Sequence, residues 1–241
     1  MAKVAEQAGG VRSYQGTMTS AIGVPGDRTL IEGTLAYQVE PLAMRYTVST
    51  IEANGHSYGG YTELIVGDKD YTKGPIVRAK TGKPWVGETL SHLSKSTGVD
   101  MRSMQEGARD HPGPNTRLLT ASTDVHQVGR ETVVGVRTTH YQGTFRLKEG
   151  VAKLGGAQRT QFNKALGGEQ GVDVMTFDVW IDSRQMPRKV TIATPPGSKL
   201  EVTLSMAYTA FNGPITVTAP PKSQVADGRS LPGGARPNVP S

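Results

Sequence analysis

Period-two alternation of apolar and polar residues constrains this chain more than any other feature. From Phe177 to Asp182 the odd-numbered residues are apolar, a polar break follows, and the alternation resumes at Val190 and Ile192. Because successive side chains of a strand point to opposite faces, this pattern around a turn predicts an antiparallel hairpin with one buried face. Residues 135–147 form another strand of this kind. The sequence therefore predicts a sheet-rich protein.

Segments with helical spacing interrupt the strands. Leucine and methionine residues recur at helical spacing between residues 88 and 119, and a second helical stretch runs from 149 to 166. Residues 2–8 are also expected to be helical, whereas 75–86 are expected to be extended. Strands joined by tight turns pair antiparallel, and helices inserted between them pack on one face of the sheet. We therefore predict an α+β fold: a large curved antiparallel sheet, or half-barrel, with helices packed on its concave face.

Composition favours one domain followed by a tail. The 241 residues are 36% apolar, with a mean hydropathy of −0.38, which suits a sheet that has one solvated face. We predict a single domain over residues 1–221. Residues 222–241 are rich in proline, glycine and arginine and contain hardly any apolar anchor, so they are predicted to be a disordered tail.

Charge and residue usage exclude several functional classes. Lysine and arginine exceed aspartate and glutamate by 27 − 21 = 6, but the basic residues are scattered, so we expect no nucleic-acid binding. The absence of cysteine excludes disulfides, thiolate metal sites and a cysteine nucleophile. No apolar run is long enough to cross a bilayer. No metal or cofactor is expected, because no two of the five histidines have a metal-ligand spacing: His56, His92, His111, His126 and His140.

One pentapeptide matches a catalytic motif. Gly55-His56-Ser57-Tyr58-Gly59 has the G-x-S-x-G pattern of the nucleophile elbow in α/β-hydrolases. That motif needs a buried parallel strand before the serine and a helix directly after it. Here residues 49–54 are too polar for such a strand, and residues 61–66 are rich in β-formers. Asp124 with His140, or Asp110 with His126, would have to complete a triad. A hairpin loop explains the glycines more simply.

Three segments resemble a known family. They are residues 128–144 (Val-Gly-Arg-Glu-Thr-Val-Val-Gly-Val-Arg-Thr-Thr-His-Tyr-Gln-Gly-Thr), residues 178–182 followed by Met186-Pro187-Arg188, and the closing Val217-Thr218-Ala219-Pro220-Pro221. Together with the order of elements over residues 11–225, they resemble the actinobacterial envelope lipoproteins related to LppX and LprG. Those proteins share a fold with the lipoprotein carrier LolA.

The resemblance implies a function without catalysis. Members of that fold hold an acyl chain or lipid between the curved sheet and the helices, and they need no catalytic residue for this. It also implies an exported protein at the outer face of the cytoplasmic membrane, held there by a lipid on an N-terminal cysteine. The signal peptide and that cysteine are then expected to have been removed from the present sequence. We expect a monomer whose partner is a lipid or another hydrophobic small molecule.

Apolar residues of the helical segments are the candidates for the ligand cavity. We predict that it is lined by Trp85, Leu90, Leu93, Met101, Met104, Leu118, Leu119, Phe162 and Leu166. Two alternatives stay open. One is a regulatory or interaction lipoprotein with a closed core and no ligand, and the other is a serine hydrolase that uses Ser57.

Overall fold

A computed structural model describes residues 1–97, 116–156, 159–160 and 172–228. The described strands form one open sheet of thirteen strands. They are β1 (Ser13–Val24), β2 (Asp27–Gln38), β3 (Ala43–Ala53), β4 (His56–Tyr58), β5 (Tyr61–Val66), β6 (Lys69–Lys73), β7 (Trp85–Thr89), β8 (His126–Val133), β9 (Val136–Arg146), β10 (Val174–Asp182), β11 (Pro187–Ala193), β12 (Glu201–Phe211) and β13 (Val225–Asp227). The predicted α+β fold class, a large curved antiparallel sheet, is therefore confirmed.

The strand order is β13-β7-β6-β5-β3-β2-β1-β12-β11-β10-β9-β8, with β4 paired to β3. Neighbouring strands are antiparallel, as the tight turns predict, except that β13 is parallel to β7. The pairing of β1 with β12 joins the first part of the chain to the last. It makes one continuous sheet of the two runs of strands that the helical insert separates in sequence.

The helices are short. They are α1 (Ala2–Gly9), α2 (Pro75–Thr81), α3 (Leu90–Thr97) and α4 (Leu147–Ala152), with 3₁₀ turns at Thr116–Ala121 and Lys222–Gln224. Helix α2 corrects our prediction that residues 75–86 are extended. Pro75 starts this helix, and Gly82, with φ of 69°, ends it in a left-handed conformation that glycine adopts without strain. These local end signals outweigh the β-like composition of the segment.

The helices cover one face of the sheet, which we call the inner face. Helices α1 and α4 and the first 3₁₀ turn pack on β9–β12, where Phe177, Val179 and Leu119 are each at most 1% exposed. Helix α3 places Leu90 and Leu93 in a second, smaller cluster with residues of β2, β3 and β5. The Tyr14 and Tyr37 rings, 5.4 Å apart, link the two clusters.

Two bulges bend the middle of the sheet. The register shifts at Gly16 between β1 and β12, and at Gly33 between β2 and β3. A Cβ on Gly16 would lie 2.2 Å from the carbonyl oxygen of Ala207, and a Cβ on Gly33 would lie 2.4 Å from that of Thr47. Bulges increase strand twist, and only glycine permits such close backbone approach. These positions therefore help to curve the sheet.

The chain after β12 crosses the opposite, outer face as a segment that we call the C-terminal strap, residues 213–224. Arg45 of β3 points outward and donates a 2.9 Å hydrogen bond from Nη2 to the carbonyl oxygen of Thr216. Beyond the strap, β13 completes the edge at β7. Strand pairing therefore continues to Asp227, past residue 221, where the sequence predicts the domain to end. Residues 229–241 of the predicted tail lie outside the described residues.

Candidate functional site

Half-buried apolar side chains form a surface on the inner face between the two clusters. We call this surface the inner ledge and define it by Met18 of β1, Ile31 and Leu35 of β2, and Leu204 and Met206 of β12. The strand register places them side by side, since Met18 is opposite Met206, and Ser20 lies between Ile31 and Leu204. Leu204 and Met206 also pack against the large cluster. All five residues are only half-buried on the inner face of the described sheet.

The sequence of these strands explains the ledge. On β1 the neighbours of Met18 are Thr17 and Thr19, which point to the outer face, and β12 alternates in the same way. The five ledge residues therefore all reach the inner face, although the helices pack to either side of the ledge rather than on all of it. An apolar surface without full cover is the arrangement that hydrophobic ligands use.

Aromatic rings border the ledge where β1, β2 and β12 meet. Tyr14 contacts Tyr37 at 5.4 Å and Tyr208 at 5.7 Å between ring centroids. Burial raises the pKa of Tyr14, and the neighbouring Tyr37 raises it further. Burial likewise raises the pKa of Tyr208. The phenols are therefore neutral at physiological pH, and this border carries no charge.

The structure places four of the predicted lining residues in packed clusters. Leu118 and Leu119 are 2% and 0% exposed in the large cluster, and Leu90 and Leu93 are 5% and 8% exposed in the smaller one. All four contact the inner side of the sheet, but they lie in two separate groups on either side of the ledge. They support the helical layer around the ledge.

Trp85 does not join either group. The next residue, Val86, packs inward against Val77 of α2, so the Trp85 side chain points to the outer face by strand alternation. There its ring lies 5.7 Å from Lys73 Nζ. Period two in the short strand β7 decides this orientation. The other predicted lining residues, Met101, Met104, Phe162 and Leu166, lie outside the described residues.

The sequence did not predict the ledge, because the predicted lining of the ligand cavity came from apolar residues of the helical segments. The regular alternation of β12 was visible, but alternation alone does not show which inward residues a helix will cover. Cover depends on where short helices such as α1 and α4 lie in the folded protein. That position is set by contacts distant in sequence.

A group of charged and aromatic residues lies on the outer face of β8–β11. His140 Nε2 is 2.7 Å from Asp178 Oδ1, and His140 Nδ1 is 3.0 Å from Glu131 Oε1. The His140 ring stacks on Trp180 at 4.2 Å, and Lys189 Nζ lies 4.6 Å from the Trp180 ring. The Trp180 Nε1–H donates to Glu131 Oε2 at 3.2 Å. These contacts tie four strands together, and both ring nitrogens of His140 are within hydrogen-bond distance of a carboxylate.

Asp182 holds the turn between β10 and β11. Its Oδ1 accepts hydrogen bonds from the amides of Arg184 and Met186, at 2.8 and 3.0 Å. Its Oδ2 accepts one from Arg188 Nε at 2.9 Å. Burial alone would raise the pKa of Asp182, but the donors from Met186, Arg188 and Arg184 outweigh burial, and the net pKa is lowered. The side chain remains a carboxylate that closes the β10–β11 turn.

Ser57 does not lie on a nucleophile elbow. It is the middle residue of β4, an exposed strand that pairs with the end of β3 through a turn at Asn54 and Gly55. Strand β5 follows β4, where the elbow would require a helix. His140 is hydrogen-bonded to Asp178 on β10, far along the strand order from β4. The described residues therefore do not bring Asp124 and His140 together with Ser57 as a hydrolase would require; Asp110, of the alternative pair with His126, lies outside the described residues.

The described residues were also compared with the requirements of a metal site and of a membrane-spanning helix. Nowhere in these parts of the chain do three or more histidine or acidic side chains converge so that they could hold a metal ion. Within the same parts, every helix is too short or too polar to span a bilayer.

Comparison with known proteins identifies relatives in Streptomyces. No protein-family model matches the chain. An uncharacterized 31.2 kDa protein of Streptomyces griseus is 32% identical over 123 residues, which are 49% of this chain and 40% of that protein. A candidate lipoprotein of Streptomyces coelicolor is 26% identical over 155 residues, which are 62% of this chain and 44% of that protein. The chain thus spans less than half the length of either relative.

Two solved mycobacterial proteins share the fold, the lipoprotein LppX and LprF. LppX from Mycobacterium tuberculosis superposes with a TM-score of 0.52 at 16% identity, over 90% of this chain and 96% of LppX. LprF from Mycobacterium bovis gives a TM-score of 0.52 at 11% identity, over 90% of this chain and 93% of LprF. At these identities the likeness concerns the fold. The predicted resemblance is confirmed at that level: the chain is similar to actinobacterial lipoproteins and has an LppX-like fold with a large, open, mainly antiparallel sheet.

Proposed function

We propose that this protein is a non-enzymatic lipoprotein of the cell envelope that binds or carries a lipid or acyl chain on the inner face of its sheet. The observation that carries this proposal is the inner ledge, whose five apolar side chains lie between two packed clusters and are themselves only half-buried. A ligand that covers them would remove both its own chain and the ledge from water. No backbone hydrogen bond of the sheet would have to break.

Burial of an acyl chain on the ledge would supply enough free energy for binding. Burial of ten methylenes of an acyl chain contributes about 8 kcal/mol before the costs of ordering and association. Met18 and Met206, opposite each other at the centre of the ledge, are unbranched and can adapt to chains of different shape. The ledge therefore favours a flexible, mainly apolar ligand.

The relatives support a place in the envelope. LppX is named as a lipoprotein, and so is the candidate lipoprotein of Streptomyces coelicolor. By analogy we place this protein outside the cytoplasm, as a monomer held at the outer face of the cytoplasmic membrane by an N-terminal lipid. Its partner is the hydrophobic ligand, and nucleic acid is not part of the function.

Native mass spectrometry tests ligand binding directly. Protein purified from an actinobacterial host should carry an adduct that organic extraction removes and that returns with added lipid. Leu204→Glu places a charge on the ledge and should abolish the adduct. Thr203→Glu places the same charge on the exposed outer face of the same strand and should retain it. Loss of the adduct from both variants alike would contradict a site on the inner face.

The closed-core alternative rests on a different observation. Beneath β9 and β10 the inner face is filled, since a Cβ on Gly143 would lie 2.8 Å from Phe177 Cζ. A regulatory or interaction lipoprotein would need no more than such a core. Repeated preparations with a clean apo mass, and no uptake of added lipid, would favour this alternative.

The absence of catalysis is tested separately. A fluorophosphonate probe should label the wild-type protein no more than it labels Ser57→Ala. Labelling that depends on Ser57 would support the hydrolase alternative in place of the carrier.

A further inference from the structure

A polar pocket lies at the end of the sheet, where β8, β9 and β10 are neighbours. It has a volume of about 510 Å³. We call it the edge pocket, because β8 ends the strand order. Its polar lining comes from Arg130, Thr132, Arg137, Thr139, Ser183 and Gln185. Tyr141 and Ile181 also line it and pack against the large cluster, so the pocket has an apolar base on the inner face.

Both arginines of the edge pocket point to the inner face. Glu131 contacts His140 on the outer face, so Arg130, the preceding residue of β8, points the other way. Arg137 of β9 lies four residues before Tyr141, which packs against the large inner cluster. Since side chains alternate along a strand, Arg137 and Tyr141 share a face. The two arginines therefore line the same side of adjacent strands.

The register of the β8–β9 hairpin makes these arginines neighbours. Arg130 is opposite Thr139, and Arg137 is opposite Thr132, so the two arginines lie diagonally across the strand pair. Diagonal partners are about 7–8 Å apart between Cα atoms, which is within reach of long side chains. The register is set by the two-residue turn at 134–135, whose φ angles of 49° and 72° are both positive, as a type I′ hairpin requires. Both guanidinium groups can therefore contact one ligand.

Neither arginine has an acidic partner in the described parts of the chain. The ion pairs found there involve other arginines, and neither Arg130 nor Arg137 donates a side-chain hydrogen bond to another described residue. Both residues are exposed. Two guanidinium groups at this spacing repel each other, and an anion between them would replace repulsion by attraction.

The two acidic residues of the pocket lining have their carboxylates engaged elsewhere. Glu131 faces His140 and the Trp180 Nε1–H on the outer face, at 3.0 and 3.2 Å. The Asp182 side chain is 3% exposed and accepts hydrogen bonds from Arg188 and from amides of its own turn. The charge that the pocket offers to a ligand is therefore about +2 at neutral pH, from the two arginines.

This arrangement suits phosphate better than carboxylate. One guanidinium fork satisfies both oxygens of a carboxylate, whereas a phosphate group has further acceptor oxygens for a second fork. The hydroxyls of Thr132, Thr139 and Ser183 add neutral donors around the arginines. The apolar base formed by Tyr141 and Ile181 reduces the screening of the charges by water.

We infer that the edge pocket binds a phosphate group, of a lipid headgroup or of a soluble phosphate compound, between Arg130 and Arg137. This inference goes beyond the proposed function and does not depend on it. The ledge lies on β1, β2 and β12, whereas the edge pocket lies on β8, β9 and the end of β10.

Inorganic phosphate is the first probe. In a low-salt buffer near neutral pH, titration with phosphate should shift the Nε–H resonances of Arg130 and Arg137 until they saturate. The resonance of Arg146, on the same strand as Arg137 but outside the pocket, should not move. Added sodium chloride should weaken binding, because exposed charges are screened. Acetate that shifts both pocket resonances as strongly as phosphate does would overturn phosphate as the ligand class.

Substitutions then locate the site. Arg130→Gln and Arg137→Gln should each weaken phosphate binding about tenfold, the scale of one charge-assisted hydrogen bond. Arg146→Gln removes an equal charge from β9 outside the pocket and should leave the affinity unchanged. Thr132→Glu places a carboxylate opposite Arg137 and should abolish binding. This variant should remain folded, because opposite charges across a strand pair are stabilising.

Vesicles distinguish the two sources of phosphate. Sedimentation of the protein with phosphatidic acid vesicles, but not with phosphatidylcholine vesicles, would identify a lipid headgroup if Arg130→Gln combined with Arg137→Gln prevents it. Saturable shifts with inorganic phosphate, without such sedimentation, would identify a soluble phosphate compound. Either result supports the site.

Two results would overturn the site. One is the absence of a saturable shift of Arg130 and Arg137 in the wild-type protein. The other is equal affinity for phosphate in the wild type, the double glutamine variant and Thr132→Glu. Neither result bears on the lipid adduct expected on the ledge, so the proposed function would stand.

Discussion

Arg188 Nη2 lies 2.8 Å from Asp182 Oδ2, and both side chains are almost fully buried at the start of β11. The partner of Asp182 that lies further away is Arg184, whose Nε is 3.8 Å from the same oxygen and whose side chain is 74% exposed. One carboxylate thus has a buried and an exposed cation. The two cations form a matched pair for measuring how much burial matters.

Arg188→Met should lower the free energy of unfolding by about 3–5 kcal/mol, because the Asp182 charge stays buried without its main partner. Arg184→Met removes the same charge at the surface and should cost less than about 1 kcal/mol. Urea denaturation measures both. Similar losses of stability in the two variants would show that burial does not increase the contribution of the Asp182–Arg188 ion pair.

Stability should fall in acid because of Asp124. The Thr144 amide donates to its carboxylate at 2.7 Å, with further hydrogen bonds from the hydroxyls of Thr144 and Ser122, and these lower the pKa of Asp124 to about 2. The pKa in the unfolded chain is about 3.9, so this contribution is complete above that pH and is lost as pH falls towards about 2. Asp124→Asn should flatten the stability curve over this window. A carboxyl resonance of Asp124 that titrates near 3.9 would contradict the expectation.

Gly16→Ala should destabilise the protein by about 2 kcal/mol or more, since the new methyl group would overlap the Ala207 carbonyl. Gly129→Ala is the control. Gly129 also lies at a bulge, in β8, but a Cβ there meets nothing within 4 Å. Its substitution should change stability by less than about 0.5 kcal/mol. Thermal unfolding of both variants distinguishes a close strand approach from a general intolerance of alanine at bulges.

Leu119→Ala and Leu35→Ala should separate packing from binding. Leu119 is 0% exposed in the large cluster, so its truncation should cost about 2–5 kcal/mol and leave the affinity for an apolar probe unchanged. Leu35 is half-buried on the ledge, so its truncation should lower the stability less and should weaken the binding of the probe. The opposite pattern would indicate that the ligand binds to the helical residues that the sequence predicts as its lining.

The helical and strand patterns predict the architecture well, because alternation is a local property of segments such as 177–182 and 201–211. The location of the ledge escapes such reasoning for a physical reason. Whether Met18 is covered depends on the placement of the helices and on the pairing of β1 with β12, in which partners such as Tyr14 and Phe211 are nearly two hundred residues apart in sequence. Trp85 shows the same limit. In a strand as short as β7, the contacts of Val86 decide on which face of the sheet the Trp85 side chain lies.

Truncation after Gly213 should expose the free edge of β7 and produce self-association, which light scattering coupled to size exclusion would detect. Truncation after Gly228 keeps the strap and β13. This product should elute with the mass of a monomer. A monodisperse product from the shorter truncation would show that β7 needs no protection.

The parallel pairing of β13 with β7 also bears on how this protein is made. Val225 pairs with Trp85, so the ribosome adds 225 − 85 = 140 residues between the two partners. At the usual speed of translation, about 5–20 residues per second, β7 waits about 7–28 s for its neighbour. During that interval the nascent chain presents an unfinished border to any chaperone or translocation factor that recognises extended backbone. The sheet edge at β7 is therefore completed only when β13, the last of the described strands, has been synthesised.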